Sequence, residues 1–274
     1  MIPSTRAALR SLRAGERARR RVLVFGALGL AVVSWPAVAQ WQGLPTPGLP
    51  RKADGTFDAS AAAPRAADGK PDLSGIWMAP RIRVDLAQGL KKGETVPFTP
   101  EGKRIFDERR ATNSKDDPGA RCLPTGIPVR ATLQTPFKIL QTPGVTAILY
   151  ESRTQFRQIL TDGRSLPKEV DWPAWQGFSV GRWDGDTFVV ETAGFNGKVW
   201  LDQVGTPASD AFRLTERFHR RDFGHMDVEM IIDDRKMYTR PWSTFAELLF
   251  QPDTELLEYI CEENERDSAR MVGK

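Results

Sequence analysis

The chain is short of the side chains on which much enzyme chemistry is built. Its 274 residues hold two histidines, His219 and His225, two cysteines, Cys122 and Cys261, and three tyrosines. Two histidines cannot make a three-histidine metal site. A Cys-x-x-Cys pair, a phosphate-cradling glycine loop, a dinucleotide fingerprint and a His-Glu-x-x-His zinc helix are all missing, so no cofactor is expected. The letters of Gly177-Phe178-Ser179-Val180-Gly181 match a hydrolase nucleophile elbow. They open a hairpin strand, however, and do not join a strand to a helix. Long apolar runs are also missing: Val22 to Val33 is too short to span a membrane.

That short run belongs to an address. Arg6, Arg10, Arg13, Arg17 and Arg19 to Arg21 form a cationic stretch before it, and Ala37-Val38-Ala39 follows as a small-x-small cleavage site. Residues 1–39 therefore read as a secretory signal, general or, through Arg19-Arg20-Arg21-Val22-Leu23, twin-arginine. A periplasmic or secreted destination is expected, with no stable membrane anchor after cleavage. Removing the signal's seven arginines and Glu16 takes the formal charge from +4 to −2, which removes the case for a nucleic-acid partner. In an oxidising compartment Cys122 and Cys261 most simply make one disulfide; a free catalytic thiol or a metal ligand are the alternatives.

Residues 40–70 are rich in Pro, Ala and Gly without apolar period, and read as an extended or disordered lead-in to one domain over 71–274. One helix is predicted over Glu101 to Ala111, with Thr99 as N-cap and Pro100 in the first position. The rest reads as about ten short strands: Gly75–Met78, Phe137–Leu140, Val145–Tyr150, Phe156–Thr161, Phe178–Trp183, Asp186–Thr192, Phe212–Arg220, His225–Ile232, Phe245–Phe250 and Glu255–Cys261. The predicted class is all-β with one short helix: an antiparallel lipocalin-like β-barrel, with a β-sandwich as alternative.

Within this pattern Phe212 to Ile232 sorts into a hairpin with one misplaced residue. A turn centred on Asp222 pairs Phe212 with Ile232, Leu214 with Met230, Glu216 with Val228 and Phe218 with Met226 on an apolar face. Glu216 is a lone carboxylate there, and must be paired, protonated or used. Alternation in the last strand offers Glu258 as a second inward carboxylate. Two such groups in one apolar interior push their pKa values apart, which suits general acid and base work. Arg182 and Arg157, each sharing a face with apolar residues, are candidates to neutralise them. The same register sets His219 opposite His225 beside Asp227, an alternative site for a divalent metal. Trp172, Trp175 and Arg164 in the loop before the Asp184-Gly185 hairpin, and Trp200 with Asp202 after it, are candidates for a ligand-gripping rim.

The segments Trp175-Gln176-Gly177-Phe178-Ser179-Val180-Gly181-Arg182-Trp183-Asp184-Gly185-Asp186-Thr187, Pro71 to Trp77, Arg121 to Pro124, Thr215 to Phe218 and Glu258 to Asn264 resemble an uncharacterised family of exported bacterial proteins. The resemblance implies a secreted single-domain protein and carries no activity with it. Gly75-Ile76-Trp77 is similar to the Gly-x-Trp that opens lipocalin-like barrels.

The resulting expectation is a barrel that takes a small apolar or aromatic molecule into its interior. Glu216 and Glu258 would lie in the cavity, with Arg182 or His219 steadying charge during cofactor-free isomerisation, hydration or elimination. A non-catalytic carrier and an envelope structural or interaction module are the alternatives.

Overall fold

The computed structural model describes residues 44–261 and 263; the signal reading over 1–39 lies outside these residues. Nine strands follow in order: β1 (Gly75–Met78), β2 (Phe137–Thr142), β3 (Val145–Tyr150), β4 (Gln155–Leu160), β5 (Phe178–Asp184), β6 (Thr187–Ala193), β7 (Arg213–Arg220), β8 (His225–Asp233) and β9 (Trp242–Phe250). They close into a barrel in sequence order, β9 returning to β1. Closure rules out the sandwich.

Strand direction alternates around an antiparallel ring, so an odd number of strands cannot close without one parallel step. That step is β4–β5, where only Ile159–Ser179 and Leu160–Val180 are paired. The barrel is otherwise antiparallel, with eight residue pairs joining β7 to β8 alone. A parallel step needs a crossover, and residues 161–177 supply it by returning the chain to the barrel end where β4 began.

Alternation places Leu214, Glu216, Phe218 and Arg220 of β7 inside, with Met226, Val228, Met230 and Ile232 of β8 and Trp242, Thr244, Ala246, Leu248 and Phe250 of β9. The observed register differs from the sequence reading: Leu214 faces Ile232, Glu216 faces Met230 and Phe218 faces Val228. Asp222 opens the turn instead of centring it, its Oδ1 accepting from the N–H of Gly224 and of His225 at 3.0 and 2.8 Å. Moving the centre by one residue shifts every partner by two, so parity and the buried face survive. On β5 the inward positions are Ser179, Gly181 and Trp183. A Cβ on Gly181 would come within 2.5 Å of the Phe188 ring and 2.8 Å of Ile159, so only glycine lets those side chains fill the interior there.

The predicted helix is α1 (Pro100–Ala111), and Thr99 Oγ1 accepts from Gly102 N at 3.0 Å as its N-cap. A one-turn helix, α2 (Ile127–Arg130), lies in the proline-rich stretch before β2. No helix among the described residues is long and apolar enough to cross a membrane. Residues 44–70 dock on the barrel: the Phe57 ring lies 5.8 and 5.9 Å from those of Phe223 and Phe250, and Ala59 and Ala61 carbonyls accept from Gly224 and Phe223.

Cys122 and Cys261 form a disulfide with Cα atoms 5.7 Å apart. The predicted strand Glu255–Cys261 does not form. With β1 already paired to β9 the ring has no free edge to accept it. The segment runs outside instead, Glu255 bonding Lys138 Nζ at 2.6 Å and Leu257 N donating to Glu151 at 2.8 Å.

Candidate functional site at the parallel seam

Glu216 is 2% exposed and its partner is Arg157 of β4, 3% exposed, with Nη2 and Oε2 2.6 Å apart. The guanidinium crosses the interior from β4 to β7 and bonds each strand it passes. Nε donates to Ser179 Oγ of β5 at 3.0 Å, and Nη2 donates to Thr192 Oγ1 of β6 at 2.7 Å. Burial disfavours its charge, but the Glu216 carboxylate beside it outweighs that and holds its pKa above the ordinary value. Arg157 is thus an internal staple across the one parallel step, where the backbone ladder is as short as at the β9–β1 closure. Glu216 anchors the far end.

Beside the staple, at the barrel end where β4 and β5 begin, lies a second buried guanidinium. Arg130 of α2 is 3% exposed and sits over the Tyr150 ring, 4.4 Å from its centre. Its Nη2 donates to Gln155 Oε1, which also accepts from Gln176 Nε2 at 3.0 Å, so two glutamines bridge the splayed start of the seam. Burial pushes the Arg130 pKa down to about 10, and no carboxylate opposes the shift. It stays a cation at neutral pH. Burial also raises the Tyr150 phenol, which stays neutral.

Outside these groups a cavity of about 740 Å³ opens between the seam and the crossover. Phe156, Leu160, Phe178 and Val180 form its apolar wall on the outer faces of β4 and β5, and Leu166 and Pro167 cover it from the crossover. Gln155, Arg157, Gln176 and Ser179 supply a polar floor where the strands splay. The volume falls within the few hundred to about 1,000 Å³ usual for small-molecule sites. Phe156 is 66% exposed, a large apolar side chain left for something to cover.

Several residues singled out from sequence are elsewhere. Glu258 is exposed on the outer tail and joins no interior pair. Arg182 lies on the outer face and pairs with Glu191 at 2.9 Å; Phe178 and Val180, the apolar residues that share its face, line the cavity outside the barrel. His219 is exposed and faces Asp227, not His225, because of the register shift. It cannot steady an anion in the interior. His225 Nδ1 instead lies 2.7 Å from Asp222 Oδ1. Among the described residues no group of three or more His, Cys, Asp or Glu is placed to hold a metal ion.

The rim residues divide. Arg164 borders the cavity, its guanidinium held by Asp162 at 2.5 Å. Trp172 is 83% exposed and Trp175 packs half-buried on the core; neither borders the cavity. Trp200 is buried beneath the Arg109 guanidinium at 4.2 Å, and Asp202 accepts from Leu86 N, Val204 N, Thr206 N and Thr206 Oγ1. Burial raises the Asp202 pKa against those bonds. Both residues hold loops together.

Arg130, Tyr150, Gln155, Gln176, Ser179 and Thr192 were not singled out from sequence. Thr192 and Ser179 carry a signal, being polar positions in phase with Val190 and Gly181 on strands that turn them inward. Arg130 carries none, because its burial depends on how α2 docks.

The fold and site together define a closed β-barrel with a charged staple inside and an open cavity on its wall. No protein-family model matches the chain, and no curated protein matches it in sequence.

Proposed function

We propose that this protein binds a small, largely apolar or aromatic molecule in the seam cavity, as a carrier and not as an acid–base catalyst. The observation that supports this most is the cavity itself, with an apolar wall from Phe156 to Val180 and a polar floor of Gln155, Gln176, Ser179 and the buried Arg157. The site differs from the barrel interior because the interior beside Glu216 is filled: Met230 is fully buried opposite it and Val190 on its other side. Glu216 does not border the cavity, and its carboxylate is committed to Arg157. Export to an oxidising compartment belongs to the same reading. It rests on the Ala37-Val38-Ala39 cleavage pattern, the disulfide and the resemblance to exported bacterial proteins.

Titration of the mature protein with naphthalene-2-carboxamide, followed by calorimetry, tests the site. Saturable one-site binding is expected, and filling the cavity by Val180→Trp should abolish it. Binding that survives Val180→Trp, or fails to saturate, would remove the cavity from consideration.

A further inference from the structure

Buried polar atoms normally find partners. Five buried side-chain atoms among the described residues have none, and four of them belong to the region around the seam floor: Arg130 Nε, Arg153 Nε, Arg157 Nη1 and Gln176 Oε1. Three are guanidinium donors. The fifth, Trp242 Nε1, lies on β9.

Arg130 is the most telling of the four. The Nε and Nη2 hydrogens of an arginine form one edge of its planar fork, spaced to meet the two oxygens of a carboxylate. Here Nη2 is taken by the amide oxygen of Gln155, while Nε has no acceptor. One neutral oxygen thus occupies half of an edge built for two charged ones. Gln155 is also a wall residue of the cavity, so the group blocking the fork is the one a ligand would touch. Of the remaining buried charges, Arg157 is offset by Glu216, whereas Arg130 has only the Tyr150 ring beneath it and gains further repulsion from Arg153. An uncompensated buried cation therefore lies directly behind Gln155 at the polar end of the cavity, opposite its apolar wall.

We propose that the ligand is an amphipathic carboxylate whose head group displaces the Gln155 amide oxygen and takes the Nε–Nη2 edge of Arg130, its apolar body lying along Phe156, Leu160, Phe178 and Val180. This rests on the reading of the cavity as a ligand site and adds the class of ligand. Arg153 lies close enough to add to the field, and Gln176 Oε1 is free to accept a hydrogen bond from a hydroxyl on the same molecule.

The test compares naphthalene-2-carboxylate with naphthalene-2-carboxamide, which share shape but not charge. On the wild-type mature protein the carboxylate should bind about tenfold tighter or more. In Arg130→Met the preference of the carboxylate over the carboxamide should fall to about one. Equal binding of both probes to wild type overturns the carboxylate assignment and leaves the cavity reading intact. A preference that persists in Arg130→Met assigns charge recognition elsewhere and overturns it too. If neither probe binds, both readings fall. Should Arg130→Met not fold, the wild-type side-chain Nε–H resonance of Arg130 decides: it should shift on adding the carboxylate and stay in place with the carboxamide, and no shift refutes the contact.

Discussion

Two walls of the same barrel are held by different forces. From β6 to β9 the chain makes long antiparallel ladders, and Phe188, Val190, Phe218, Met226, Val228, Met230 and Leu248 pack behind them. Between β4 and β5 the ladder shrinks to two residue pairs, and a buried guanidinium reaching three further strands does the joining. The first wall is dry and closed. The second splays open at one end, and there the protein leaves aromatic surface exposed, with buried donors that lack partners behind it. Topology forces the contrast: nine strands need one parallel step, that step needs a crossover, and the crossover roofs the gap it creates.

The contrast can be broken most sharply at the staple. Glu216→Gln leaves Arg157 buried without its counter-charge and should cost about 3–5 kcal/mol in urea unfolding. Replacing both partners, as Arg157→Met with Glu216→Leu, should recover most of that loss, because two apolar groups need no compensation. If the double variant is as unstable as the single one, the pair does more than neutralise itself. Met230→Ala, next to Glu216 on the closed wall, should cost about 2–5 kcal/mol through the cavity it leaves. Breaking the Cys122–Cys261 link by paired serine substitutions should cost about 2–5 kcal/mol, read as a lowered Tm. Its loop spans 139 residues, for which chain entropy alone gives about 5 kcal/mol. At the small end stands Phe156→Ala on the open wall. With most of its ring already in water it should change stability by no more than about 0.5 kcal/mol, while weakening binding of the naphthalene probes. A large loss of stability there would mean that Phe156 is core and not binding surface.

The closed wall was legible in the sequence because burial on one face forces period-two alternation. Phe212 to Ile232 announces both its inward face and its misplaced glutamate, and even a register error of two residues leaves that face correct. Arg220 continues the same phase and is indeed buried, stacked 4.8 Å from the Trp77 ring. The open wall misleads for a physical reason. On β5 the apolar positions Phe178 and Val180 face outward, toward the cavity and crossover, while small and polar Ser179 and Gly181 face in. Hydrophobicity marks what is covered, not which side covers it. Glu258 failed differently: alternation can be written over its segment, but a closed ring offers it no neighbour. Arg130 was invisible because its burial is set by tertiary docking of a one-turn helix flanked by loops.

Hydrogen exchange of the mature protein with and without naphthalene-2-carboxylate tests the central claim most directly, because it reads both walls at once. Without ligand, amides of β4 and β5 should exchange faster than those of β7 and β8. With ligand, protection should rise over residues 155–160 and 164–180 and stay unchanged over β7 to β9. Protection appearing instead along β7 to β9, or at neither wall, would contradict a ligand site at the parallel seam.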